Sequence, residues 1–544
     1  MKKHIALFLA LFLILSCSNV GSNNQTVRNT EFGKVKGIKQ NGVLIWYGVP
    51  YGKASRWQAP QNPDSWDNEY NAAEWKGPAL QLSGNDVIGS EDCLNLDIYS
   101  KEGAEKLPVL VFLHGGNNQT GNTKELIGND MVIKDDIVFV SVNYRLGLLG
   151  FNNLPALINE TNTTGNYTLL DISLALDWVK NNIAEFGGDP ENITISGFSA
   201  GGRDVMALLV SPMFKGKFQK AIAFSGGMTI ADETLSRKQI AKAIAPLAVE
   251  DKKAATEEKA VNWLLTSNAE VSDYLHSISS ERLIPLMSNA GIRMSVFPHL
   301  YGDDVVLPKS GFNTSNYNAV PIIMLTGTTE FSMFANGDSY FSSEEMTNYS
   351  AEDIEKAKTF AIKYGSKMYG YFNAEASAEK MNEYNYNAPI YLCSINYGDY
   401  TSEYKIPVFG AFHGIFVPLL ASKHNYENIV DGIFTSASCK DLSEVFNKYL
   451  KNFLYTGNPN TEGLNNWESW TKDTHLSMVL DAKEDKALAE SKSITTTYQN
   501  IIDEMNNDNE ISQELKDKMI KNVMNGRWFS DSLDKYYNNR NLWQ

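Results

Sequence analysis

The run Asn192-Ile193-Thr194-Ile195-Ser196-Gly197-Phe198-Ser199-Ala200-Gly201-Gly202 constrains this chain more than any other. A β-branched stretch passes through Gly-x-Ser-x-Gly directly into residues that suit a helix as far as Val210. That order spells a strand, a sharp turn with serine at its apex, and a helix. Glycines flank the serine because such a turn brings backbones too close for side chains. The serine hydroxyl then stands clear, and the amides after it lie at the positive end of a helix. A hydroxyl so placed is equipped to attack a carbonyl carbon. A chain of this length meets Gly-x-Ser-x-Gly by chance roughly one time in five, so the strand-to-helix context carries the reading.

Further apolar runs have the length and composition of buried strands: Pro108 to Leu113, Ile137 to Val142, Ala221 to Ser225 and Pro321 to Thr326. Helical patterns separate them. The clearest is Leu169 to Phe186, stopped by Gly187-Gly188-Asp189-Pro190. Continuous apolar strands alternating with helices predict an α/β fold, a largely parallel sheet covered on both faces. Such sheets bind ligands at the carboxyl ends of their strands. His114-Gly115-Gly116, Ser199 and Glu330 all follow predicted strands there. Residues from about 230 to 310 and 335 to 390 are more charged and helix-prone, for example Lys238 to Glu250 and Ala351 to Tyr364. They read as insertions forming a lid or wall, within a domain covering residues 31–484. A polar tail, residues 485–544, is helical in pattern and is expected to pack on that domain.

The first residues read as a targeting segment. Met1-Lys2-Lys3 is basic, and Ile5 to Leu15 is apolar but too short to span a bilayer. The sequence Leu15-Ser16-Cys17 resembles a bacterial lipoprotein cleavage site, making Cys17 the lipidated residue. The other reading is ordinary cleavage and a free periplasmic or secreted protein. Residues 18–30 then form a polar tether. Of the 4 cysteines, Cys93, Cys393 and Cys439 follow Cys17, so no more than one internal bridge forms among them. No Cys/His cluster has metal-ligand spacing, and no cofactor motif is found. The net charge of −16 argues against nucleic acid or an anionic membrane surface as partner. Membrane contact is expected only through lipid on Cys17.

A serine nucleophile needs a base, and the base needs an orienting acid. Among 7 histidines, His413 in Gly410-Ala411-Phe412-His413-Gly414 falls after the sheet strands. The order Ser, acid, His is that of α/β-hydrolases. Glu330 in Gly327-Thr328-Thr329-Glu330 is the candidate acid, with Asp303, Asp304 and Asp399 as rivals. The amides of His114-Gly115-Gly116, with that of Ala200, are candidates for the oxyanion hole that acyl transfer requires.

At this point the chain resembles the type B carboxylesterase family, the cholinesterase-like branch of the α/β-hydrolases. The likeness runs from about Phe32 to Asp481. It is carried by Tyr47-Gly48-Val49-Pro50-Tyr51, Glu91-Asp92-Cys93-Leu94-Asn95-Leu96, Asn143-Tyr144-Arg145-Leu146-Gly147, Phe186-Gly187-Gly188-Asp189-Pro190 and Thr456-Gly457-Asn458-Pro459-Asn460. The resemblance implies hydrolysis of a carboxylic ester through an acyl-serine, with Ser199 as nucleophile, Glu330 as acid and His413 as base. It implies an oxyanion hole from Gly116, Asn117 and Ala200, and Ser225 as a partner of the acid. Several residues depart from the family pattern. Phe198 replaces a Glu beside the nucleophile, which should disfavour cationic substrates. Asn117 replaces a small residue, although asparagine tolerates left-handed backbone. Arg203-Asp204 replaces smaller residues, and Phe416 stands where Glu is common. Leu80 lies near the place of the partner for Cys93, so Cys93 is expected to be reduced. Two readings follow: an active serine esterase at a bacterial envelope, or a weakened binding or adhesion module on the same fold. Amide hydrolysis or transacylation would use the same acyl-enzyme.

Overall fold

The computed structural model describes residues 25–288, 290–426 and 432–538. Its centre is an 11-stranded mixed sheet. In chain order the strands are β1 (Ile38–Gln40), β2 (Val43–Pro50), β3 (Asn95–Lys101), β4 (Leu107–Leu113), β5 (Val138–Val142) and β6 (Gly188–Phe198). They continue as β7 (Lys220–Phe224), β8 (Ile322–Gly327), β9 (Ile390–Ile395), β10 (Leu476–Lys483) and β11 (Lys486–Ser493). Across the sheet the order is β11-β10-β9-β8-β7-β6-β4-β5-β3-β2-β1. From β5 to β10 neighbouring strands run parallel, and both edges are antiparallel.

The continuous apolar runs follow from burial on both faces. On β4, Val109, Val111 and Leu113 join the layer holding Leu169, Ile172 and Leu176 of helix α1 (Tyr167–Asn182). Leu110 and Phe112 point the other way, into the layer of Leu442, Phe446 and Leu450. The elbow helix α2 (Ala200–Leu208) follows β6 directly. Helices also fill both insertions, including α3 (Glu233–Glu250) and α4 (Ala351–Asn373).

Two expected boundaries shift. The tether expected over residues 18–30 ends sooner, because Val27–Thr30 is a strand paired antiparallel with Gly33–Lys36, and Trp46 Nε1 donates to Thr26 O at 2.7 Å. A short surface hairpin needs no apolar alternation, so polarity conceals it. The main domain also does not stop at residue 484, and the tail is not helical from its start. β11 pairs along its whole length with β10. Its Lys486, Glu490 and Lys492 are the charges an exposed edge strand carries against unwanted pairing. Further along the tail, the Tyr498 ring meets Tyr371 of α4 at 4.7 Å.

Candidate active site

Ser199 sits at the turn between β6 and α2 with φ 56° and ψ −113°, a conformation non-glycine residues rarely adopt. Its N–H donates to Phe224 O on β7 at 2.8 Å, which pins the turn to the neighbouring strand. The flanking glycines are sterically required. A Cβ on Gly197 would lie 2.2 Å from Gly201 O, and one on Gly201 would lie 2.3 Å from Leu113 O.

Glu330 follows β8 and is fully buried. Its Oε1 accepts from Ser225 Oγ at 2.6 Å, Gly327 N at 2.6 Å and Thr326 Oγ1 at 3.2 Å. Its Oε2 meets His413 Nδ1. His413 Nε2 is buried without a partner among the described residues. Ser199 and His413 line one cleft of about 680 Å³. The rival acids are engaged elsewhere. Asp303 accepts from Thr164 and Asn166, and Asp304 from the Lys309 amide. Asp399 supports the acid's loop instead, accepting from Thr328 Oγ1 at 2.8 Å and Thr329 Oγ1 at 2.7 Å. His413 is joined to the Glu330 carboxylate. His114 is buried flat against Tyr144 at 4.4 Å, and burial pushes its pKa down to about 4, so it stays neutral.

One expected oxyanion donor is lost. The Gly115 amide donates to Glu125 Oε2, whose carboxyl burial pushes up to about 7. Gly115 therefore positions the loop and is not free for substrate. No hydrogen bond among the described residues uses the amides of Gly116, Asn117 or Ala200. Gly116 and Asn117 line the cleft beside Ser199. Asn117 and Asn118 both take φ 55°, the left-handed region that asparagine tolerates.

The departures from the family pattern turn out to be coupled, which reading them one at a time misses. Buried Arg203 donates from Nη2 to Asn117 Oδ1 at 2.7 Å, and Asn118 Nδ2 donates to Asp204 Oδ1 at 2.8 Å. Two adjacent polar residues on the glycine loop thus grip two on the first turn of α2. Burial pushes the Asp204 carboxyl up to about 7, against the pull of the Arg203 charge beside it. Phe198 and Phe416 pack together at 5.1 Å, and Phe416 stacks on Phe224 at 4.1 Å. Where the family often has carboxylates, an apolar stack fills the space. His413 is caged by the rings of Phe198 at 4.7 Å, Phe334 at 5.1 Å and Tyr369 at 5.6 Å. Tyr369, on α4, donates from its hydroxyl to Ser225 O at 3.5 Å, on the loop that also holds Glu330. It comes from an insertion whose residue pattern carries no sign of facing His413. Cys93, Cys393 and Cys439 are separate buried thiols, and Leu80 borders the same small cleft as Cys93.

Comparison with known proteins agrees with this geometry. The model of the Carboxylesterase family matches residues 24–368 and 338–501. The chain is 30% identical to para-nitrobenzyl esterase of Bacillus subtilis, over 84% of this chain and 94% of that protein. It is 28% identical to an acylcarnitine hydrolase of Mus musculus, over 81% and 85% of the two chains. A solved PNB esterase superposes with a TM-score of 0.69 at 27% identity, covering 86% of this chain and 97% of that one. The sheet is that of the α/β-hydrolases, and the serine elbow at its carboxyl edge is that of an ester hydrolase. Family, fold and elbow agree: the chain belongs to the carboxylesterase family.

Proposed function

We propose that Ser199, His413 and Glu330 hydrolyse a carboxylic ester through an acyl-serine intermediate. The observation that carries this reading is the Glu330 carboxylate. Three donors hold one of its oxygens, the other meets His413 Nδ1, and His413 Nε2 is left unpartnered in the cleft that Ser199 shares. With Glu330 accepting from Nδ1–H, the basic lone pair of the imidazole sits on Nε2. Nε2 takes the Ser199 proton as Oγ bonds to the substrate carbonyl carbon. It returns that proton to the leaving alcohol when the tetrahedral intermediate collapses. Water then repeats the sequence on the acyl-serine, releasing the acid. The amides of Gly116, Asn117 and Ala200 serve the oxyanion. Arg203 holds Asn117 in place and adds positive potential behind that loop. A fluorophosphonate probe is expected to label Ser199, identified by mass spectrometry of the modified peptide, and the label is expected to vanish in His413→Ala. A folded protein that takes no label would return the non-catalytic binding module as the better account.

We propose further that the enzyme sits at a bacterial envelope. Cys17 and the rest of the apolar segment lie outside the described residues, so the support is the sequence Met1-Lys2-Lys3, Ile5 to Leu15 and Ser16-Cys17. Because Thr26 is already held by Trp46 and Val27 belongs to the hairpin, the tether is confined to residues 18–25, reaching at most about 30 Å. Cys17→Ser is expected to move the protein from the membrane fraction to the soluble one. Unchanged sedimentation with membranes would refute the lipid anchor.

A further inference from the structure

Three segments far apart in the chain bring charge to the wall of the Ser199 cleft. Arg293 comes from the first insertion, Asp338 from the second and Arg527 from the C-terminal tail. Arg527 Nη1 donates to Asp338 Oδ2 at 2.8 Å, and Arg293 Nη2 lies 3.5 Å from the same oxygen. One carboxylate therefore serves two guanidinium groups. Apart from His413, the described residues lining the cleft carry no further charged side chain. The cleft wall is thus net positive in a protein whose net charge is −16.

The rest of each guanidinium is held to its place. Arg527 Nε donates to Gly291 O at 2.7 Å and Nη1 also to Val523 O at 3.0 Å. Arg293 Nη2 donates to Asn522 O at 2.9 Å and Val523 O at 3.2 Å. That leaves Arg527 Nη2 and Arg293 Nη1 without acceptors among the described residues. Both lie beside the same glycine. A Cβ built on Gly291 would stand 2.6 Å from Arg527 Nη2 and 3.5 Å from Arg293 Nη1. With no side chain there, both guanidinium groups close against this stretch of the wall of the cleft that Ser199 lines. Burial, and then the charge of Arg293, push the Arg527 pKa down to about 10. An anion between the two would relieve that repulsion.

Resting on the hydrolase reading above, we infer that the enzyme prefers esters bearing a second, ionised acidic group, which the Arg293–Arg527 pair binds while Ser199 attacks the ester carbonyl. The group is a carboxylate or a comparable small oxyanion, since planar guanidinium donors match its paired oxygens.

The test compares mono-p-nitrophenyl esters of glutaric and adipic acid with neutral p-nitrophenyl esters of equal chain length. The ratio of kcat/KM values, anionic over neutral, is expected to exceed unity at low salt. It should shrink as ionic strength rises to about 0.3 M, where screening is strong. Arg293→Gln should lower the ratio about tenfold, the size of one charge-assisted hydrogen bond, and Arg293→Glu should push it below unity. Turnover of neutral esters with no anionic preference, or a ratio indifferent to both substitutions, overturns this inference and leaves the hydrolase reading standing. Turnover of neither ester overturns both.

Discussion

Ser199→Ala is expected to lower kcat on a p-nitrophenyl ester by roughly 10⁶-fold, the scale seen when the nucleophile of a serine hydrolase is removed. Thermal unfolding of the variant should match the parent. The substitution deletes one oxygen from a residue whose structural bond is its amide to Phe224 O, and alanine keeps that bond. The strained φ of 56° is imposed by the Gly197 and Gly201 contacts on either side, and not by the hydroxyl. Fold and activity should therefore separate. Substantial ester turnover in the variant, with the parent's melting temperature, would remove Ser199 from the mechanism.

Ser199, Glu330 and His413 are legible in the sequence because each follows a strand or glycine-marked loop whose signal is local in the chain. The central strands are legible because burial on both faces writes itself as a continuous apolar run, as in Leu107–Leu113. What is not legible depends on pairing across sequence distance. Asn117 and Arg203 look like separate defects in a family pattern, yet together they lock the oxyanion loop to the elbow helix. Phe198 and Phe416 look like two lost carboxylates, yet each fills space against the other. A lone departure weakens a site, whereas coupled departures rebuild it, and sequence alone does not say which residues are neighbours. Gly115 shows the reverse error. Its place in the glycine loop suggests an oxyanion donor, but Glu125, ten residues on, captures its amide. The edge strand Lys486–Ser493 is hidden for another reason. With one edge open to solvent, its charges serve against misplaced pairing and mask the alternation that would mark a strand.

Glu330→Gln tests the proposed acid more sharply than its deletion would. Ser225 Oγ, Gly327 N and Thr326 Oγ1 all approach the same carboxylate oxygen, and the Gly327 amide can only donate. A glutamine must therefore turn its carbonyl oxygen toward that cluster. Its NH₂ then faces His413 Nδ1, where Glu330 now presents an acceptor. Nδ1 must accept, so the imidazole proton moves to Nε2. Nε2 then points a hydrogen at Ser199 instead of a lone pair, and the base is lost although every heavy atom keeps its position. The expected fall in kcat is about 10⁴-fold, as for the equivalent change in a serine protease triad. Because the cause is a tautomer, the loss should be largest near neutral pH and ease at high pH, where hydroxide can substitute for the missing base. A melting temperature near the parent's should accompany it, since the cluster around Oε1 is satisfied in both proteins. If Glu330→Gln keeps more than about a tenth of the parent kcat, the acid lies elsewhere. Asp399, one loop away behind Thr328 and Thr329, would be the next carboxylate to substitute.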